Sequence, residues 1–318
     1  MHVHIVGNGK SGSGCWMSIR GWHRPIAAFM LRHIRLKVSL RDPDFDRLYV
    51  ENLLKEIRES TLAAAVILAQ DNVYHENGKI MEGVGSFFVP NDYILQLARA
   101  HKEFLPAVSI HPARPDALDE LDRCLEAGAV MLKLLPNCLN IDCNNKRYKK
   151  FWERMAAAKL PLLAHTGGEH TVVVVEKKYS DPRVLTLPLE CGVNVIAAHC
   201  ATKSGLTDED YFPVFAKMTE KYSNLYGDNS AFNVPLRGGH IPECLEEPLA
   251  SRIVHGSDFP VPVAGRWARM RGYLDRETAK KWDALPNVIE RDYQLKRAMG
   301  FKEESFTRVW KLLRLKKD

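Results

Sequence analysis

MHVHIVGNGKSGSG, residues 1–14, admits two incompatible folds. Gly7, Gly9 and Gly12 spell G-x-G-x-x-G directly after a short apolar run, the fingerprint of a doubly wound dinucleotide-binding sheet. Gly9, Lys10 and Ser11 also imitate the end of a phosphate-binding P-loop. Yet His2 and His4 stand one residue apart on the same run, and a β-strand would turn both imidazoles to one side.

Context separates the readings. The fingerprint needs a helix opening at its third glycine and an acid about 20 residues further on to hold a ribose. Here SGCWMSIRG follows Gly12, Gly14 and Gly21 interrupt any helix, and no acid occurs before Asp42. The P-loop needs a glycine where His4 stands. In the metal reading His2 and His4 project together while Val3 and Ile5 face the surrounding helices.

From residue 60 onward, short apolar runs alternate with amphipathic stretches. The predicted strands are 63–69, 104–110, 129–135, 160–165, 193–199, 224–228 and 252–256, and MHVHIV makes eight. Helical patterns lie between them at 116–128, 147–159 and 208–222, the first with Asp116 as N-cap and Gly128 as C-cap. Eight strands alternating with helices predict an α/β fold, a (β/α)8 TIM barrel rather than an open doubly wound sheet. TVVVVEKK (171–178) is strand-like by propensity where the alternation wants a loop or helix, and its state stays open. No linker divides the chain, so residues 1–318 read as one domain. Residues 7–41 form a long β1–α1 insertion, and about 280–318 a helical C-terminal extension.

Ligand-type residues close the later strands: Lys133 in VMLKLLP, His165 in LLAHTGG, His199 in IAAHCAT and Asp258 in VHGSDFP. In a barrel these fall at the C-terminal rim, where active sites are built. Neutral imidazoles and a carboxylate suit Zn²⁺, Mn²⁺ or Fe²⁺.

The ordered series H-x-H, Lys, His, His, Asp on strands one, four, five, six and eight resembles the amidohydrolase superfamily of metal-dependent hydrolases. GSDFP and HPARPDAL (111–118) are most similar to its amidohydrolase-2 type branch. The family usually has an Asp two residues before the first His; here the chain starts at Met1, so strand one is short or the true start lies upstream. The resemblance implies metal ligands His2, His4, Lys133, His165, His199 and Asp258, holding one or two ions, foremost Zn²⁺. It implies a metal-bound hydroxide, made available by lowering the pKa of water from about 15.7 to about 7. Asp258 would take the proton of this water and pass it to the leaving group. Lys133 would be a carbamate bridging two metals, or a free lysine that pairs with a substrate carboxylate. The expected reaction is cleavage of a C–N or C–O bond in a small molecule. The alternative is a mononuclear zinc decarboxylase or hydratase for an unsaturated carboxylic acid, with His199 as acid/base; a dead barrel kept for binding is the third reading.

His111 reads as a structural or supporting residue, and His255 as scaffold. Trp16, Arg20, Trp22, Arg237 and His240 lie on rim loops from which substrate can be touched. Seven cysteines without a C-x-x-C read as reduced core residues, Cys200 included.

The remaining numbers bound the partners. The formal charge is +6, with much of the excess in residues 1–41 and in the tail 308–317. Read as solvated surface, this charge does not predict a nucleic-acid interface. The longest apolar runs fall far short of the roughly 20 residues that span a bilayer. No signal peptide is visible, which favours the cytoplasm. The expected partner is a small-molecule substrate, and a homo-oligomer is compatible with the sequence.

Overall fold

The computed structural model describes residues 2–315. Eight parallel strands form its centre: β1 (Val3–His4), β2 (Ala65–Leu68), β3 (Phe104–Val108), β4 (Met131–Leu134), β5 (Leu162–Ala164), β6 (Val195–Ala197), β7 (Leu225–Asp228) and β8 (Ile253–Val254). They pair in sequence order. Beyond β8 the chain returns to β1, where Val3 bridges Phe259 in parallel and the His4 amide donates to the Phe259 carbonyl at 2.9 Å. The sheet thereby curls back on itself. All eight predicted strands are present, each shorter than its apolar run.

Strands covered on both faces read as continuous apolar runs, and β2, β4, β5 and β6 are buried throughout. The surrounding helices bury one stripe each. In the helix Ala117–Glu126 the buried positions are Ala117, Leu121, Cys124 and Leu125, a helical spacing that faces the sheet. Asp116 holds the expected N-cap position, its carbonyl accepting the Glu120 amide at 2.9 Å, but its carboxylate makes no capping bond and accepts two hydrogen bonds from Arg114 instead. Gly128, just past Ala127, takes φ +98° and closes the helix as expected: its amide donates to the Leu125 carbonyl at 3.2 Å and that of Ala129 to the Cys124 carbonyl at 3.0 Å, a left-handed glycine cap. Residues 171–176 form no strand. The Val173 amide donates to Ser86 Oγ and those of Val175 and Glu176 to the Asn137 carbonyl, so tertiary hydrogen bonds override β propensity.

The glycine-rich loop after β1 is organised by an acid. Asp46, buried on the helix Phe45–Arg58, accepts hydrogen bonds from the amides of Asn8 (2.6 Å) and Gly9 (3.1 Å) and from the Ser13 hydroxyl. A carboxylate thus holds the donors a phosphate would need. Gly9 is required because its φ is +78° and a Cβ would stand 2.1 Å from the Cys15 carbonyl oxygen. The loop leads to a two-stranded ribbon, Trp16–Met17 against Phe87–Phe88, and to the helix His23–His33, all on the rim side.

Candidate metal centre

The strand ends converge on one point. His2 is fully buried, and its Nδ1 lies 2.7 Å from Asp228 Oδ2 at the end of β7. An ionised carboxylate can only accept, so the Nδ1–H donates and His2 Nε2 keeps its lone pair. That Nε2 faces Asp258 Oδ1 at 3.2 Å and Lys133 Nζ at 3.1 Å. His4 Nε2 is 3.3 Å from the same Asp258 oxygen. The predicted alternation holds, since Val3 and Ile5 are buried in the core outside the ring of imidazoles.

His199 repeats the arrangement. Its Nδ1 donates toward the Ser230 carbonyl oxygen, 3.1 Å away, with Ser230 Oγ at 2.8 Å. Asp228 Oδ1 accepts the His199 amide at 2.7 Å, so one carboxylate fixes both histidines. The backbone here is strained: His199, Cys200, Ala201 and Asp258 all have φ between +49° and +61°. Each such residue costs about 1–3 kcal/mol, and they gather where side chains must be aimed precisely into one space.

Ligand atoms of His2, His199 and Asp258 lie within 4.8 Å of one another, close enough to share an ion. The donor set fits a metal on chemical grounds. Burial holds His2 and His199 far below the ordinary imidazole value, so both are neutral and carry a free lone pair. His165 Nε2 is buried with no hydrogen-bond partner, an orphan that a cation would satisfy. Its ring centroid stands 5.1 Å from that of His199. Lys133 is fully buried at the cluster, and burial pushes its ammonium down to about 8 against the pull of Asp258 and Asp228. The two apolar residues that follow Lys133 do not keep it from the cluster.

A cavity of about 370 Å³ opens over the cluster, with His4, His165, His199 and Asp258 in its wall. An arginine and a glutamate also line it. Arg237 is buried, donating to the carbonyls of Thr202 (3.2 Å) and Gly168 (2.6 Å). Glu169 Oε2 is 3.6 Å from His165 Nε2, and its other oxygen accepts from the Thr171 amide and hydroxyl. Most of the remaining wall is apolar, including Met17, Ile26, Met30, Phe87 and Val172.

Among the other sequence candidates only Arg237 reaches this cavity. His111 is buried away from it, bonding the Leu139 carbonyl at 2.9 Å. His255 lies beside Asn229 and 3.8 Å from Asp292, in a buried polar layer behind the site. His240 pairs with Asp210 and stacks on Phe212. Trp16 lies in the ribbon, while Arg20 and Trp22 are exposed. The Cys200 thiol donates to the Asp228 carbonyl, and burial pushes its pKa far up, so it is no nucleophile. All seven cysteines are free. Asp228 and Glu169 were not singled out from the sequence.

Residues 69–299 match the family model described as Amidohydrolase, a span that omits His2 and His4. No curated protein matches the chain by sequence. Among solved structures it is similar to a probable 2-pyrone-4,6-dicarboxylic acid hydrolase from Acinetobacter baumannii, with TM-score 0.56, 12% identity and 95% of each chain covered. It is also similar to an uncharacterised TIM-barrel protein from Bordetella bronchiseptica, with TM-score 0.55, 15% identity and 87% of this chain and 92% of that one covered. A third is 5-carboxyvanillate decarboxylase from Sphingomonas paucimobilis, with TM-score 0.50, 11% identity and coverages of 92% and 96%. At such identities the likeness concerns the fold. No helix among the described residues is long and apolar enough to cross a membrane.

Proposed function

Because the chain belongs to the amidohydrolase family, we propose that it is a metal-dependent hydrolase that cleaves an amide, ester or lactone bond of a small molecule. The supporting observation is the convergence of His2, His199 and Asp258 under a cavity, beside an unpartnered His165 nitrogen. His2, His4, His165, His199 and Asp258 would hold the ion, with Lys133 completing the site as a carbamate. When bound, a divalent metal supplies a Lewis acid that polarises a carbonyl and acidifies water at neutral pH.

The chain's own groups do the rest. Asp258, in the cavity wall, accepts a proton from the attacking water and returns it to the leaving nitrogen or oxygen. The water oxygen bonds to the carbonyl carbon as the C–N or C–O bond breaks, so one water is consumed per turnover. Asp228 and Ser230 fix the tautomers of His2 and His199. Arg237 lines the cavity and spends two of its five N–H donors on carbonyls, which leaves donors that can orient a substrate oxygen. Lys133 does not line the cavity, which speaks against the salt bridge to a substrate carboxylate. In this reading the whole chain is one catalytic domain, residues 7–41 are an insertion that roofs the cavity, and residues from about 280 are an extension.

The test is isotopic. Metal-loaded protein incubated with amides, esters and lactones in ¹⁸O-water should place one ¹⁸O in the acid product per turnover. Release of CO₂ from carboxylic acids, without ¹⁸O in an acid product, would hand the site to the decarboxylase alternative.

A further inference from the structure

A second concave surface adjoins the reactive cavity. It is a groove of about 1290 Å³ between the helix His23–His33 and the segments 8–20 and 35–41. The first 41 residues contain seven Lys and Arg, from Lys10 to Arg41, and all seven line this groove. No Asp or Glu lines it, and none of the seven forms a salt bridge with a described acid. All seven are solvent-exposed. A surface that merely solvates charge intersperses both signs and pairs many of them; a single-sign concave surface focuses a positive potential. The basic residues expected as solvated surface are indeed exposed, and they share one concave face.

The groove and the cavity adjoin along Met17, Ile19, Leu31 and Leu40, which line both. One side of this wall offers apolar surface leading to the metal cluster. The other offers positive charge with no reacting group. We propose that the substrate is an amphipathic phosphorylated compound: an apolar body fills the cavity and a phosphate or diphosphate group outside the reacting bond sits in the groove. This rests on the hydrolase reading for the reaction, but the groove's ligand class follows from the groove itself. Arginine is the residue type that fits such a group, since its planar fork matches phosphate oxygens, and five of the seven are arginines. Linking an apolar anchor to an anion makes the second contact intramolecular, so the two surfaces act together.

Octyl phosphate, inorganic phosphate and octanol, titrated below micelle concentrations, test this on the metal-loaded protein. Octyl phosphate should bind about tenfold or more tightly than either fragment. Raising NaCl from low to high should weaken octyl phosphate and leave octanol unchanged. Charge reversal by Arg32→Glu with Lys37→Glu, both at exposed positions, should bring octyl phosphate level with octanol. The salt titration on the unaltered protein decides the matter if that variant does not fold. Octyl phosphate affinity that ignores both salt and charge reversal would overturn the proposal. So would binding to phosphatidylserine vesicles with no gain for soluble octyl phosphate, which would make the groove a membrane-facing surface. Asp258→Asn separates this from the reaction: full turnover in that variant with the phosphate gain intact sinks the mechanism and spares the groove.

Discussion

Asp228 and His2 stand 226 residues apart in the chain and 2.7 Å apart in the structure, both wholly buried. The pair sets the direction of the whole site, because the proton held on Nδ1 leaves Nε2 to face Asp258 and Lys133. Asp228→Asn keeps the shape but removes the charge that supports the imidazole. Metal affinity, measured by chelator competition, should fall about 10–100-fold. Unchanged affinity would show that His2 is held by packing alone.

Asp258→Asn should cut turnover by about 10²–10⁴-fold, since an amide neither accepts the proton nor neutralises the metal. Steady-state kinetics at matched metal occupancy is the check. A fall in metal content that fully accounts for the lost activity would reduce Asp258 to a ligand.

Lys133 decides the metal count. Its Nζ lies 3.1 Å from the His2 nitrogen that would face the ion, and an ammonium there would repel a bound cation. A carbamate is therefore expected in the loaded protein, formed when the amine lone pair attacks CO₂ and the amine loses a proton. Protein loaded with excess metal and bicarbonate should hold two equivalents, and Lys133→Ala one, with partial rescue by short-chain carboxylates. One equivalent in both proteins would refute the bridge.

His111 makes stability depend on pH. Burial lowers its pKa to about 4, and its Nδ1 accepts the Ala113 amide at 3.1 Å, which a protonated ring cannot do. The unfolded chain takes up this proton near the ordinary value of about 6.5. Stability from this group is thus complete above about 6.5 and is lost as pH falls toward 4. At about 1.4 kcal/mol per pH unit the window is worth about 3 kcal/mol at most. Urea unfolding at pH 4.5 and 7 should show a smaller difference in His111→Gln than in the unaltered protein. Parallel pH profiles would remove His111 from the acid response.

The sequence carried the strand order and six of the converging side chains because apolar runs end where the barrel rim begins. The same rule reaches Asp228, which ends the run NLYGD, but that run is short and half polar, and its acid passes as a turn residue. Glu169 follows His165 by four residues in a glycine-bearing loop, where no periodicity tells which way a side chain points. Arg237 could be placed on a rim loop but not buried, since its partners, the Thr202 and Gly168 carbonyls, come from distant segments. The valines of 172–175 left their segment open, because propensity favoured a strand while the Val173 and Val175 amides find partners outside any sheet. The left-handed run His199 to Ala201 has no glycine to announce it.

The proposed function turns on whether His2, His199 and Asp258 hold a catalytic metal. Elemental analysis of the purified protein before and after exhaustive chelation, with activity followed in parallel, tests it most directly. The purified protein should carry at least one tightly held divalent ion per chain, lose activity with it, and regain activity with Zn²⁺ or Mn²⁺. Full activity in protein that carries no metal would contradict it.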